Sequence, residues 1–455
     1  MAIRSAGFAL LSSALIVSAG ARADFQAALE DYNAGRYDSA HAQFMALAEL
    51  GDCSSQFNIG AMALKGQGGP KDLASGVGWL QAAAGNGCEQ LVGNKLSGLT
   101  AKLTPEQSRA AADIVARFGP EALHAQGIVN PDFSCRDSTP ASVVSAPVAE
   151  YPDRGSSHRR QGIVVTALTI GTDGRARGPE ILLALPDETF AAAAVEAWMN
   201  SLFTPARRGS TSVPSRSQAK TLFAVEGGSL ANAQVFQQAR TSADAGDRAA
   251  AYRLGLAATL DPSLGISYAR AGQLLLDSAR DGDAEAQYWV GSQLRATSSC
   301  HPRADGAVWL RHAADGGSAS AQWLLASDLL ASGTGGAQMA EARALLERAA
   351  ASDSYYVRKH VTALLAASPI DALRDAPTAL AVAMKLSAQP IQSDPQMFEA
   401  VAAAYAASGD FRNAVTQQER AVGKAQSLGW NTHLLDERLS AYRHGRVWHG
   451  DLFSY

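Results

Sequence analysis

The run Gln161-Gly162-Ile163-Val164-Val165-Thr166-Ala167-Leu168-Thr169-Ile170 breaks the pattern of everything around it. It is rich in β-branched residues, as a strand requires, and Gly171-Thr172-Asp173-Gly174 then turns the chain. On both sides the sequence is Ala-rich and reads as helix pairs recurring every ~35 residues. The chain is therefore expected to be mainly α, with two α-solenoid arrays flanking a small α+β domain of ββαβ order. The divisions read from this change of period are a leader over 1–23, helical repeats over 24–135, a linker over 136–150, the strand-containing domain over 151–226, further repeats over 230–390, and a closing unit with a capping helix over 391–455.

The repeat is clearest in the second half. Gly246-Asp247, Gly282-Asp283, Gly316-Gly317 and Ser352-Asp353 mark corresponding turns. A helix with small residues and aromatics at helical spacing follows each: 250–255, 286–291, 321–326 and 356–361. Second helices are expected over Ser267–Ala279, Ala304–Ala314, Met339–Ala350 and Thr378–Ala388. One such pair cannot bury its own apolar face, so stacked neighbours must make the core. The Trp and Tyr residues at this spacing read as core rather than as a ligand-stacking row. The loop Gly66-Gln67-Gly68-Gly69 lacks the Gly-Lys-Ser/Thr ending of a phosphate-binding loop and follows no strand. Its glycines are expected to serve a turn that needs positive φ.

Together these residues resemble the Sel1-like helical repeats, relatives of the tetratricopeptide repeat. Ile59-Gly60, the Gly66–Asp72 loop and Trp79-Leu80-Gln81-Ala82-Ala83-Ala84-Gly85 carry the resemblance, and 309–316 repeat it. Residues 24–50 look like a half-degenerate preceding unit. Phe398–Ala421 resembles a tetratricopeptide unit, closed by a helix over Leu434–Tyr442.

From Pro147 onward the residues resemble the C-terminal domain of the TonB energy-transducer family. Tyr151-Pro152 is the entry and Gly162-Ile163-Val164-Val165 opens the first strand. Asp173-Gly174-Arg175-Ala176 is the turn and Glu180–Leu185 the second strand. Phe190–Trp198 is the helix, Phe203-Thr204-Pro205-Ala206 the exit, and Lys220–Val225 the last strand. The helix is expected to bury Phe190, Ala194 and Trp198 on one face of the sheet. The sheet would then have one covered face and open edges, where an extended peptide can add a strand. The resemblance implies a peptide segment of outer-membrane receptors as partner, and Thr221, Leu222, Phe223, Ala224 and Val225 as the partner-binding edge. Dimerisation through that edge, or its closure by a flanking helix, stays open. The chain departs from an energy transducer in having no long Pro-rich spacer and in carrying the domain internally.

Arg4, the uncharged run Gly7–Ala19 and Ala21-Arg22-Ala23 read as a cleavable export signal, which places the protein in the periplasm; an uncleaved signal would leave it membrane-associated. The chain carries 39 Lys+Arg against 43 Asp+Glu, a formal charge of −4. Cleavage would remove two arginines and no acid, and that balance argues against a nucleic-acid partner. Four cysteines, Cys53, Cys88, Cys135 and Cys300, favour disulfides in an exported chain. They allow three pairings. Cys53 with Cys88 is preferred because both stand at the start of a helix in neighbouring repeats, although stacked equivalent positions are ~10 Å apart, too far for a bridge without a backbone shift.

No G-x-S-x-G or H-E-x-x-H motif occurs, and the nine histidines are scattered. No catalytic residue, metal ligand, cofactor or small-molecule substrate is expected. The leading expectation is a non-catalytic cell-envelope scaffold that binds proteins or peptides. A protein coupling to outer-membrane transport as TonB does is the alternative, and a cell-wall hydrolase or its helper the third.

Overall fold

Aspartate and serine side chains decide where many of the helices begin. Asp52, Asp72, Asp247, Asp283, Asp375, Asp394 and Asp410 each accept a backbone N–H two or three residues on. Ser267 and Ser354 do the same. These caps satisfy donors that a helix start leaves unpaired. The computed structural model describes residues 25–126, 128, 138–152, 161–223, 234–296, 306–332 and 335–453. The expected signal, Cys135, Cys300, Ala224 and Val225 lie outside the described residues.

The N-terminal array contains α1 (Phe25–Asn33), α2 (Tyr37–Ala48), α3 (Cys53–Lys65), α4 (Leu73–Ala83), the short α5 (Glu89–Val92) and α6 (Lys95–Thr100), then α7 (Pro105–Phe118) and α8 (Pro120–Ala125). The sheet region follows: β1 (Ser142–Ser145), β2 (Gly162–Ile170), β3 (Ala176–Leu185), α9 (Ala191–Met199), β4 (Leu202–Thr204), β5 (Ala206–Arg208), β6 (Thr211–Val213) and β7 (Ser215–Phe223). The second array is α10 (Gln234–Asp244), α11 (Arg248–Leu260), α12 (Tyr268–Arg280), α13 (Ala284–Ala296), α14 (Ala307–Asp315), α15 (Ala319–Ser332), α16 (Gly336–Ala350), α17 (Tyr355–Ala367) and α18 (Ala376–Ser387). It ends with α19 (Pro395–Ala407), α20 (Phe411–Ser427) and α21 (His433–Arg443). Many helices thus flank one small sheet region, as the period change predicts. The helices expected over 398–421 and 434–442 are α19, α20 and α21.

Two devices recur at the same step in both arrays. Gln56, Gln287 and Gln322, all buried, donate from Nε2 to the carbonyl eight residues earlier, on Ala48, Ala279 and Ala314. Each glutamine closes the end of the preceding helix, whose last carbonyls lack intrahelical partners. The second device is a glycine at the crossing of a pair. A Cβ on Gly60 would stand 3.0 Å from the Gly76 carbonyl and 3.1 Å from Leu80. On Gly255 it would meet Leu275 at 3.0 Å and the Ala271 carbonyl at 3.1 Å, and on Gly291 it would meet Leu310 at 2.9 Å and the Gly306 carbonyl at 3.0 Å. The two helices approach because that position has no side chain. Gly66 and Gly68, both at φ 75°, make the turn between α3 and α4 that their loop suggested.

Cys53 and Cys88 are bonded, with Cα atoms 5.6 Å apart. The distance objection fails because Cys88 does not occupy a position equivalent to Cys53. A π-turn over Ala84–Cys88, kinked at Gly87 (φ 114°), ends α4 and carries Cys88 back toward the start of α3.

The main sheet is three-stranded and antiparallel, in the order β3-β2-β7. β3 starts four residues earlier than expected and β7 runs from Ser215 rather than Lys220. Ser142–Ser145, inside the expected linker, pairs as β1 with β4, and β5 pairs with β6. No helix among the described residues is long and apolar enough to cross a membrane.

Candidate functional site

β2 is buried along nearly its whole length, and that corrects the expectation of a sheet covered on one face only. On one face, Val164 packs with Phe190, Ala194 and Phe223. The Phe190 and Phe223 rings stack at 4.5 Å, and Tyr151 meets both edge-on. Leu168 and Ile170 continue this face against Val195, Met199 and Phe203. Phe190 and Ala194 are buried as predicted, whereas Trp198 is half-buried and donates from Nε1 to Thr221 Oγ1 at 2.8 Å.

The opposite face meets the helices. Ile163, Val165 and Leu183 share one apolar cluster with Leu50 and Leu123 of the N-terminal array and with Tyr252, Leu256 and Trp289 of the second. A bulge prepares a polar contact beside it. Ala167 pairs with Glu180 and Thr169 with Arg177, so Gly178 and Pro179 together oppose Leu168. Gly178 has φ 58°, a conformation that costs glycine little. The bulge sets Glu180 on the helix-facing side.

Glu180, 3% exposed, accepts hydrogen bonds from Tyr288 of α13 (3.2 Å) and Ser320 of α15 (2.7 Å), and pairs with Arg216 of β7. The Arg216 guanidinium lies 5.4 Å from the Tyr356 ring of α17. Lys220, also on β7, pairs with Asp261 at the end of α11 at 3.2 Å. The first helices of four successive pairs, α11, α13, α15 and α17, therefore all reach one small sheet. Burial and the charge of Glu180 hold the Tyr288 hydroxyl protonated well above its ordinary range. Burial pulls the Arg216 guanidinium down, but Glu180 outweighs it and the net shift is upward. Just beyond, Lys359 and Asp394, both fully buried, pair at 2.5 Å, with Tyr355 and Gln396 completing their hydrogen bonds. His360 stacks on Trp323, and burial, with Lys359 and Arg216 nearby, pushes its imidazole well below the usual value. Glu180, Arg216, Tyr288 and Ser320 satisfy one another and clamp sheet to helices, as Lys359 and Asp394 do each other, whereas the buried His360 Nε2 has no hydrogen-bond partner among the described residues.

The edge formed by β7 is different. Among the named strands β7 pairs with β2 alone. Leu222 is 41% exposed and Thr221 half-buried. Phe223 is buried in the core, so at that position of the edge only the backbone is left to meet an added strand. Residues 147–225 match the family model of the Gram-negative bacterial TonB protein C-terminal. The match spans the entry at Tyr151 and every strand from β2 to β7; β1 falls before it. No curated protein matches the chain.

Sequence reasoning missed Glu180, Arg216 and Lys220 as the clamp. The signal was available: charged residues in strands whose other positions are apolar need partners when buried. What the sequence lacked was the identity of those partners, which lie up to 140 residues away.

Proposed function

We propose that the protein is a non-catalytic component of the Gram-negative cell envelope that binds an extended segment of an envelope protein along the β7 edge of its TonB C-terminal domain. The helical arrays, read as Sel1-like and tetratricopeptide-like repeats, hold that domain in one orientation. The observation that carries this reading is β7 as an edge strand with an exposed apolar side chain, in a domain matching the TonB C-terminal family. Unpaired strand edges supply main-chain hydrogen bonds to an added strand, and neighbouring side chains select it. The first-helix face, which would otherwise receive a partner, is occupied by the protein's own sheet, and this leaves the strand edge as the better binding surface.

A photocrosslinking residue at Leu222, with one at the exposed Tyr268 of α12 as control, tests this in envelope preparations. Leu222 is expected to capture an envelope protein that Tyr268 does not. Capture at Tyr268 alone would refute the edge reading, and recovery solely of inner-membrane motor proteins would favour transport coupling instead.

A further inference from the structure

The β7 edge has two faces, and the strand register sorts its side chains between them. β7 pairs with β2 residue for residue, from Phe223 opposite Gly162 to Ser215 opposite Ile170, without a bulge. Thr221 and Phe223 are on the side of α9, where Thr221 accepts from Trp198 and Phe223 stacks on Phe190. Alternate residues point to opposite faces, so Arg216, Gln218, Lys220 and Leu222 make the other row, on the side of the helical arrays. Leu222 and Lys220 stand opposite Ile163 and Val165, which pack on those helices. The two rows differ in charge. Ser215, Ser217, Ala219 and Thr221 on the α9 side carry none. The array side carries two cations four residues apart, about 13 Å along a strand, and the exposed Leu222 two residues beyond the second.

Both cations have carboxylate partners, but the two ends of each pair lie at different depths. Glu180 is 3% exposed and held inward by Tyr288 and Ser320, while the Arg216 side chain is 32% exposed. Asp261 is 4% exposed and accepts the Ser263 N–H at the end of α11, while the Lys220 side chain is 30% exposed. The negative ends are covered and the positive ends reach the surface. The edge therefore presents positive charge to a strand laid beside it, in a chain whose formal charge is −4.

Resting on the edge reading above, we propose that the partner segment is acidic: an extended stretch with an aliphatic residue opposite Leu222 and carboxylates two and six residues further on, opposite Lys220 and Arg216. This spacing follows from antiparallel addition, which continues the order of the sheet. Opposite charges directly across a strand pair stabilise it, and like charges there destabilise it. The uncharged α9-side row sets no such requirement, so selection falls on alternate residues of the partner.

The test uses the full chain with the photocrosslinking residue at Leu222 and three synthetic peptides of one length. One carries the proposed pattern with glutamate at both acidic positions, one has glutamine there, and one has lysine. Half-saturation of crosslinking is read for each. The glutamate peptide is expected to bind about tenfold more tightly than the glutamine peptide, through two cross-strand ion pairs, and the lysine peptide more weakly than either. Lys220→Gln should cut that preference to about threefold by leaving one pair. Should this variant not fold, Gln218→Glu, which sets a negative charge between the two cations, should also lower the preference. Equal crosslinking of all three peptides would overturn the acidic pattern and leave the strand edge standing, and a preference that neither variant changes would remove it from this row. No crosslinking of any peptide would overturn the edge reading itself, and the acidic pattern with it.

Discussion

Replacing Asp394 with alanine is expected to cost about 3–5 kcal/mol, because it leaves the Lys359 ammonium buried without its counter-charge. Both side chains are 0% exposed, so water cannot compensate. Burial already draws the Lys359 ammonium below its ordinary value, and Asp394 is the main group opposing that pull. Asp394 also caps α19 through the Gln396 N–H and accepts the Tyr355 hydroxyl. Urea denaturation checks the loss. Adding Lys359→Met to Asp394→Ala should recover much of it, since a buried apolar chain of similar length costs less than an unpaired charge. If the double variant is no more stable than Asp394→Ala, the defect lies in the lost cap and hydroxyl contact rather than in the charge.

Phe190→Ala is expected to be as damaging, at about 3–5 kcal/mol for a fully buried phenylalanine. Its ring stacks on Phe223 at the end of β7 and receives the edge of Tyr151. A Cβ at Gly162 would lie 2.7 Å from the same ring, so the packing is close on the β2 side as well. The consequence reaches function: without Phe190, Phe223 loses its stacking partner and the end of β7 frays. Capture at Leu222 should fall together with stability. Full capture by a destabilised Phe190→Ala protein would show that the partner does not need an ordered β7.

The legible part of the fold was local. The Gly-Asp turns, the Ala-rich helix pairs and the Asp-Gly hairpin each lie within a few residues, and each produced the element expected. Gly174 takes φ 75° in that hairpin, as the turn requires. Strand limits were less legible. The start of β7, over 215–219, was missed because the place of Arg216 depends on Glu180, its partner in another strand. Likewise Val143 and Val144 stand exposed in β1, where Val143 pairs with Phe203 of β4 and Val144 falls in an irregularity, a contact that side-chain pattern does not encode. The preferred Cys53–Cys88 pairing was correct for an incomplete reason, because the π-turn that brings Cys88 close leaves no trace in the helical period. The largest departure concerned the sheet's second face. Ile163 and Val165 signalled a strand buried on both sides, yet which helices would cover it depended on the stacking of four repeats.

The sheet-containing domain over 147–225 is not an independent module but one packing unit with α11, α13, α15 and α17. Native-state hydrogen exchange on the full chain tests it most directly, since it resolves which segments open together. The amides of β2 and β3 should share one opening free energy with those of α13, α15 and α17, and a Glu180→Ala substitution should lower all of them in step. Sheet amides that open on their own, with the helices still protected and unmoved by Glu180→Ala, would contradict the account.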